Sequence, residues 1–125
     1  MPDSYTADDH KDIVLNALAN HKAQRVVTLP TSALTSLFDY LIICSGTSST
    51  QNKALASAVE QAARSHNIKK IHKEGDDSSE WLILDLGDVV VHIMQPRIRD
   101  FYQLEKLWSI PETNGQLSQL TEEIT

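Results

Sequence analysis

The chain has 125 residues, 41% of them hydrophobic and 22% charged, and a formal net charge of -6. That length fits one domain with a sizeable core, and the acidic balance argues against a surface that wraps nucleic acid, because affinity for phosphates comes from Lys and Arg. No apolar run is long enough to span a membrane, the acidic start Met1-Pro2-Asp3-Ser4-Tyr5 resembles neither a secretory signal nor an Arg-rich transit peptide, and the lone Cys44 cannot form an internal disulfide, which fits a reducing cytoplasm.

The first predicted helix runs from Asp8 or Asp9 to about Lys22. Val14, Ala17, Leu18 and His21 share a stripe, and the early aspartates favour the positive end of the helix dipole. Residues 25–29 read as a strand closed by Pro30, and residues 31–37 as a Ser/Thr-rich loop. Tyr40-Leu41-Ile42-Ile43-Cys44 is a strand apolar enough to be buried on both faces. Ser45-Gly46-Thr47-Ser48-Ser49-Thr50 is a small-residue loop before a helix of about residues 51–66. Its stripe is Leu55, Ala58, Val59 and Ala62, with Asn67 as a left-handed cap. A short strand is expected within residues 68–73, then a polar loop from Gly75 to Ser79.

Residues 80–94 are the most informative stretch. Two apolar runs, Trp81-Leu82-Ile83-Leu84 and Val89-Val90-Val91-His92-Ile93-Met94, are joined by a bend whose central residues are expected to be Leu86 and Gly87, with Gly87 at positive φ. Neither run alternates, so both faces should be covered near the middle of a sheet. Pro96 opens a last helix with Phe101, Leu104, Glu105 and Trp108 on one face, and Ile110-Pro111 stops it. The domain is thus expected to span residues 6–108, and residues 109–125 to form a polar, acidic, disordered tail. The order α-β-β-α-β-β-β-α implies an α/β fold with a mixed sheet flanked by helices. Its final hairpin must be antiparallel, and a helical crossover could join parallel strands.

Several groups could carry chemistry. The loop from Ser45 to Ser49 has the make-up of an anion cradle at a helix N-terminus. It lacks the Gly-Lys-Ser/Thr of a P-loop, however, and a turn at Gly46 with Ser48 or Ser49 capping the helix is the favoured reading. Asp85 and Asp88 could converge on a divalent cation across the bend, but capping the turn is again favoured, because no third carboxylate accompanies them. His92 reads as a hydrogen-bonded strand residue and Cys44 as an inert core thiol. The chain therefore looks non-catalytic and without a cofactor. Trp81 and Trp108 are left as core closers or interface anchors, and the acidic turn beside Trp81 favours an interface there.

Three segments together carry a resemblance: the run from Asp39 to Ser49 with its Ser-Gly-Thr-Ser, Glu74-Gly75, and Trp81 to Met94 with its Trp-x-x-x-Asp-x-Gly-Asp-Val-Val-Val-His. The Leu-Glu-Lys-Leu-Trp of residues 104–108 completes it. Over roughly residues 13–108 the chain resembles the ribosomal silencing factor family, also called the Iojap family. The resemblance implies a nucleotidyltransferase-like α/β sandwich that binds the large ribosomal subunit at its interface protein fourteen. Bound there, such a factor blocks joining of the small subunit and lowers translation when nutrients are scarce. Family members can self-associate.

On that reading the hairpin is the docking element. Trp81 and Leu82 are expected as apolar anchors, Asp85 and Asp88 as partners for Lys or Arg, and Gly87 as a shape requirement. Tyr102, Glu105 and Trp108 extend the patch or pack on the sheet. Asp39, Gly46, Thr47, Ser48, Gly75 and His92 complete the motif, with His92 supporting the strand from behind. The acidic surface suits a basic ribosomal protein and would repel exposed rRNA phosphates. The alternatives are a small magnesium-dependent nucleotidyltransferase-like enzyme using Gly46, Ser48, Asp85 and Asp88, and a dimerisation module that pairs through its hairpin edge.

Overall fold

The computed structural model describes residues 6–75, 78–103 and 106. Thr6 starts the fold with a capping box: its side chain accepts the Asp9 N–H at 3.2 Å, and Asp9 accepts the Thr6 N–H at 2.9 Å. Helix α1 then spans Ala7–Asn20 and buries Val14, Ala17 and Leu18. His21, expected on that stripe, is instead the exposed C-cap. The strands are β1 (Gln24–Pro30), β2 (Tyr40–Ser45), β3 (His72–Gly75), β4 (Trp81–Asp85) and β5 (Val89–Met94). Helix α2 is Ser49–Ser65, and α3 is Pro96–Tyr102.

The five strands form one sheet in the order β1-β2-β5-β4-β3. All pairs are antiparallel except β2 with β5, which the α2 crossover joins in parallel. The expected α/β class, mixed sheet, antiparallel hairpin and helical crossover are all present. The short strand before the hairpin lies further along the chain than expected and takes in Gly75, which stands opposite Leu82.

Helices α1 and α2 pack on one face of the sheet. Val14, Leu18, Leu55, Val59 and Ala63 meet Ile42, Cys44, Leu84, Val89, Val91 and Ile93 there, all essentially sealed from solvent. The opposite face has a smaller cluster of Leu41, Ile43 and Met94, bordered by Leu29, Phe38, Trp81, Val90 and Ile98. Here the hairpin departs from expectation. Along β4 the residues alternate between half-buried Trp81, Ile83 and Asp85 and buried Leu82 and Leu84. In β5, Val90 and His92 are likewise half-buried between buried neighbours. β5 does occupy the centre of the sheet, but among the described residues the helix side of the hairpin is closed and the other side half-open. The apolar run hid this alternation because the half-open face is itself largely apolar.

Two further local expectations change. Leu86 N–H donates to Val89 O at 2.9 Å, so the tip of the bend is Gly87-Asp88 rather than Leu86-Gly87. Leu86 itself is buried, and Gly87 takes the positive φ, 97°. Helix α3 ends at Tyr102 because Gln103 adopts a left-handed φ of 52°. The expected helix is thus capped at Gln103. Leu104, Glu105, Trp108 and the expected tail 109–125 lie outside the described residues.

Candidate functional site

The Ser-Gly-Thr-Ser loop is filled by its own chain. Ser48 is the α2 N-cap and accepts Gln51 N–H at 3.1 Å. The Thr47 N–H and hydroxyl both donate to Gln51 Oε1, at 2.6 and 2.7 Å. Both Thr47 donors are thus engaged, and the Ser48 hydroxyl serves the helix as its cap. Gly46 is required by close approach: a Cβ there would lie 2.2 Å from Asn52 Oδ1. Asn52 is fully buried and donates to the Ser79 carbonyl at 2.8 Å, which ties α2 to the segment entering β4. Sequence reading missed Asn52, since a polar residue on a helix carries no local signal of burial.

The two turn aspartates are directed apart. Asp85 Oδ1 accepts Gly87 N–H at 2.8 Å and lies, by strand alternation, on the sheet face away from α1. Asp88 turns to the helix layer, where His10 Nδ1 sits 2.9 and 2.8 Å from its two oxygens. Its carbonyl accepts Asp39 N–H and Tyr40 N–H at 2.8 and 3.1 Å, fixing the bend against the start of β2. Asp39 in turn accepts Thr31 N–H at 2.8 Å, so its motif position is a main-chain junction. Among the described residues no three His, Cys, Asp or Glu side chains group as a metal site. The favoured capping of the turn holds for Asp85, whereas Asp88 is held across the layers by His10, and the two carboxylates do not converge.

Leu82 is also reassigned. Expected beside Trp81 as an anchor, it is 5% exposed and belongs to the helix-side core. Adjacent strand residues face opposite ways, so Trp81 and Leu82 cannot share a surface. His92 moves in the reverse sense, from supporting the strand from behind to standing on the same face as Trp81. Trp81 Nε1–H donates to His92 Nδ1 at 2.9 Å, which places the imidazole proton on Nε2. Burial pushes the His92 pKa down to about 4, so the ring is a neutral acceptor at neutral pH. Burial also pushes the Cys44 thiol up to about 12, which suits an inert core residue.

Three aromatic rings continue the face. Trp81 and Tyr102 have ring centroids 4.8 Å apart, and Tyr102 meets Phe101 edge-on at 5.0 Å. Tyr102 is 49% exposed and Phe101 77%. With Ile83, Val90 and the Asp85 carboxylate, these residues make an apolar, aromatic surface with acidic character at one end. Arg97 and Glu80, paired at 2.9 Å, stand near its other end. Such a face can bury large rigid side chains at little entropic cost and meet a cation at its rim. Ile83 and Val90 were legible only once the hairpin was folded into a period of two.

Comparison with known proteins gives one consistent result. A family model described as "Ribosomal silencing factor during starvation" matches residues 4–124. The chain is 42% identical over 96 residues to the ribosomal silencing factor RsfS of Chromobacterium violaceum, covering 77% of this chain and 79% of that protein. It is 35% identical over 96 residues to RsfS of Bacillus subtilis, covering 77% and 81%. A mouse protein named for mitochondrial assembly of the ribosomal large subunit is 32% identical over 117 residues, covering 90% of this chain and 50% of the mouse protein. The crystal structure of a Chromobacterium violaceum protein superimposes with a TM-score of 0.81 at 36% identity, covering 89% of this chain and 93% of that one. A structure from Bacillus halodurans gives 0.73 at 34%, covering 85% and 99%.

Proposed function

The chain belongs to the ribosomal silencing factor family, and from that premise we propose that it docks through its half-open sheet face on large-subunit protein fourteen and blocks joining of the small subunit. The observation that carries this reading is Trp81. Its indole N–H is satisfied inside the protein by His92, while its ring stays half-buried against the exposed Tyr102. A prepaid polar group and a rigid apolar surface are what an interface anchor needs. Asp85 supplies the partner for a Lys or Arg of a basic ribosomal protein, and the same charge disfavours rRNA phosphate. A contact of about 800 Å² per partner is enough for stable docking, and the bulk of the domain then excludes the small subunit.

Glu105 and Trp108 belong to this proposal on sequence grounds, as the continuation of the chain beyond Tyr102. Leu82 and Asp88 do not, since both face the helix layer. The reading is of a binding protein with no catalytic step and no cofactor, working in the cytoplasm where the subunits meet.

The test is sedimentation of purified subunits with and without the protein, at magnesium levels that drive joining. Co-migration with the large subunit and loss of the joined peak are expected. Trp81→Ala with Asp85→Lys should abolish both while circular dichroism stays native. Unchanged joining with the native protein present would refute the proposal.

A further inference from the structure

Helix α3 carries Tyr102 to Trp81, yet little in its own sequence holds it. It has seven residues, below the length at which a helix is stable by itself, and its N-cap Gln95 makes no side-chain capping bond. Ile98 is its apolar contact with the cluster of Leu41, Ile43 and Met94. Between Ile98 and the aromatic pair stands Arg99, a guanidinium only 1% exposed. Arg99 Nη1 donates to the Arg25 carbonyl at 2.5 Å and to Ser45 Oγ at 3.2 Å, so one side chain joins α3 to β1 and to the end of β2. Arg25 sits where the β1–β2 register shifts, in a left-handed conformation (φ 51°) that costs a residue with a Cβ. The residue in that conformation is the one whose carbonyl meets Arg99. It also reaches back, Arg25 Nη1 to Asp100 Oδ1 at 3.2 Å.

Burying a charge is expensive, and an apolar residue of similar volume often serves stability as well or better. A guanidinium does what an apolar chain cannot: it donates only to acceptors at fixed distance and angle. We propose that Arg99 is the positioning residue of the docking face, fixing α3 on the β1 bulge so that Tyr102 is held against Trp81. An apolar side chain at 99 would fill the space but let α3 slide along the sheet. The role rests on the docking reading above for its importance to the ribosome, but not for its structural effect.

Arg99→Met keeps length and packing while removing the directional bonds. With Trp108→Phe added so that Trp81 is the sole emitter, Arg99→Met should shift Trp81 emission to the red and raise its quenching by acrylamide. In the otherwise native chain, large-subunit affinity should fall about tenfold, the scale of losing one aromatic packing partner. Tyr102→Ala should give a similar fall, and combining it with Arg99→Met should add little, because both act through one contact.

If Arg99→Met does not fold, Ser45→Ala carries the test, since it keeps the charge and removes one acceptor; a smaller Trp81 shift in the same direction is expected. Unchanged Trp81 accessibility in the folded variant overturns the proposal. So does additive loss of affinity in the double variant. If Trp81→Ala and Tyr102→Ala leave subunit binding intact while Arg99→Met still moves the Trp81 signal, the docking reading fails and the positioning role stands.

Discussion

The two faces of the β4–β5 hairpin are built from alternate residues of the same two apolar runs, and they end in different states. Leu82, Leu84, Val89, Val91 and Ile93 are sealed beneath α1 and α2. Trp81, Ile83, Val90 and His92 face a side that, among the described residues, is reached by the short α3 and the segment between β1 and β2, and they stay half-buried. One face is closed by folding, and the other leaves apolar surface available to the docking proposed above. The polar groups divide the same way: Asp88 is tied into the layers by His10, while Asp85 only caps its turn.

Truncation should separate the faces most sharply. Leu84→Ala removes a fully buried side chain from the helix-side core and should cost about 2–5 kcal/mol in denaturant unfolding. Ile83→Ala, one residue away on the half-open face, should cost about 1 kcal/mol or less and weaken large-subunit binding instead. Equal losses of stability would erase the distinction.

Acid should expose the second difference. His92 is held neutral by burial, with a pKa near 4 against an ordinary 6.5. The unfolded chain therefore binds a proton that the native state refuses between those values, so native stability is complete above pH 6.5 and declines as pH falls toward 4. The shift corresponds to about 3 kcal/mol at most. His92→Gln should flatten this limb of the pH–stability curve, while the Trp81 hydrogen bond, and subunit binding with it, should persist in the folded protein until pH approaches 4, where the native imidazole takes up its proton. A flat curve in the native protein would show that His92 can protonate in place.

The smallest effect expected is at the α2 cap. Ser48→Ala should cost about 1 kcal/mol of stability with no change in subunit affinity, since the Ser48 hydroxyl serves the helix as its cap. Loss of affinity at native stability would return the loop to the list of contact surfaces.

Much of this was legible in the residues. The Ser48 cap, the Asn67 left-handed residue (φ 68°), the Gly87 bend and Pro96 at the head of α3 are local matters of one turn or one dihedral, and each lies where the pattern placed it within a residue or two. Leu82 was misread because an unbroken apolar run gives no phase; only the pairing of Leu82 with Ile93 and Trp81 with Met94 shows which residues share a side. Asp88 was misread because its partner is 78 residues away on α1.

The sequence alone determined the order of elements, the antiparallel hairpin and the non-cradling caps, because hydrophobic period, turn chemistry and capping act between neighbours in the chain. Tertiary structure decided which face of the hairpin stays open, where Asp88 points, and why an arginine is buried at position 99. These depend on how far α3 reaches across the sheet, on which distant groups it meets and on His10 of α1 meeting Asp88, and such long-range docking leaves no mark in a local pattern.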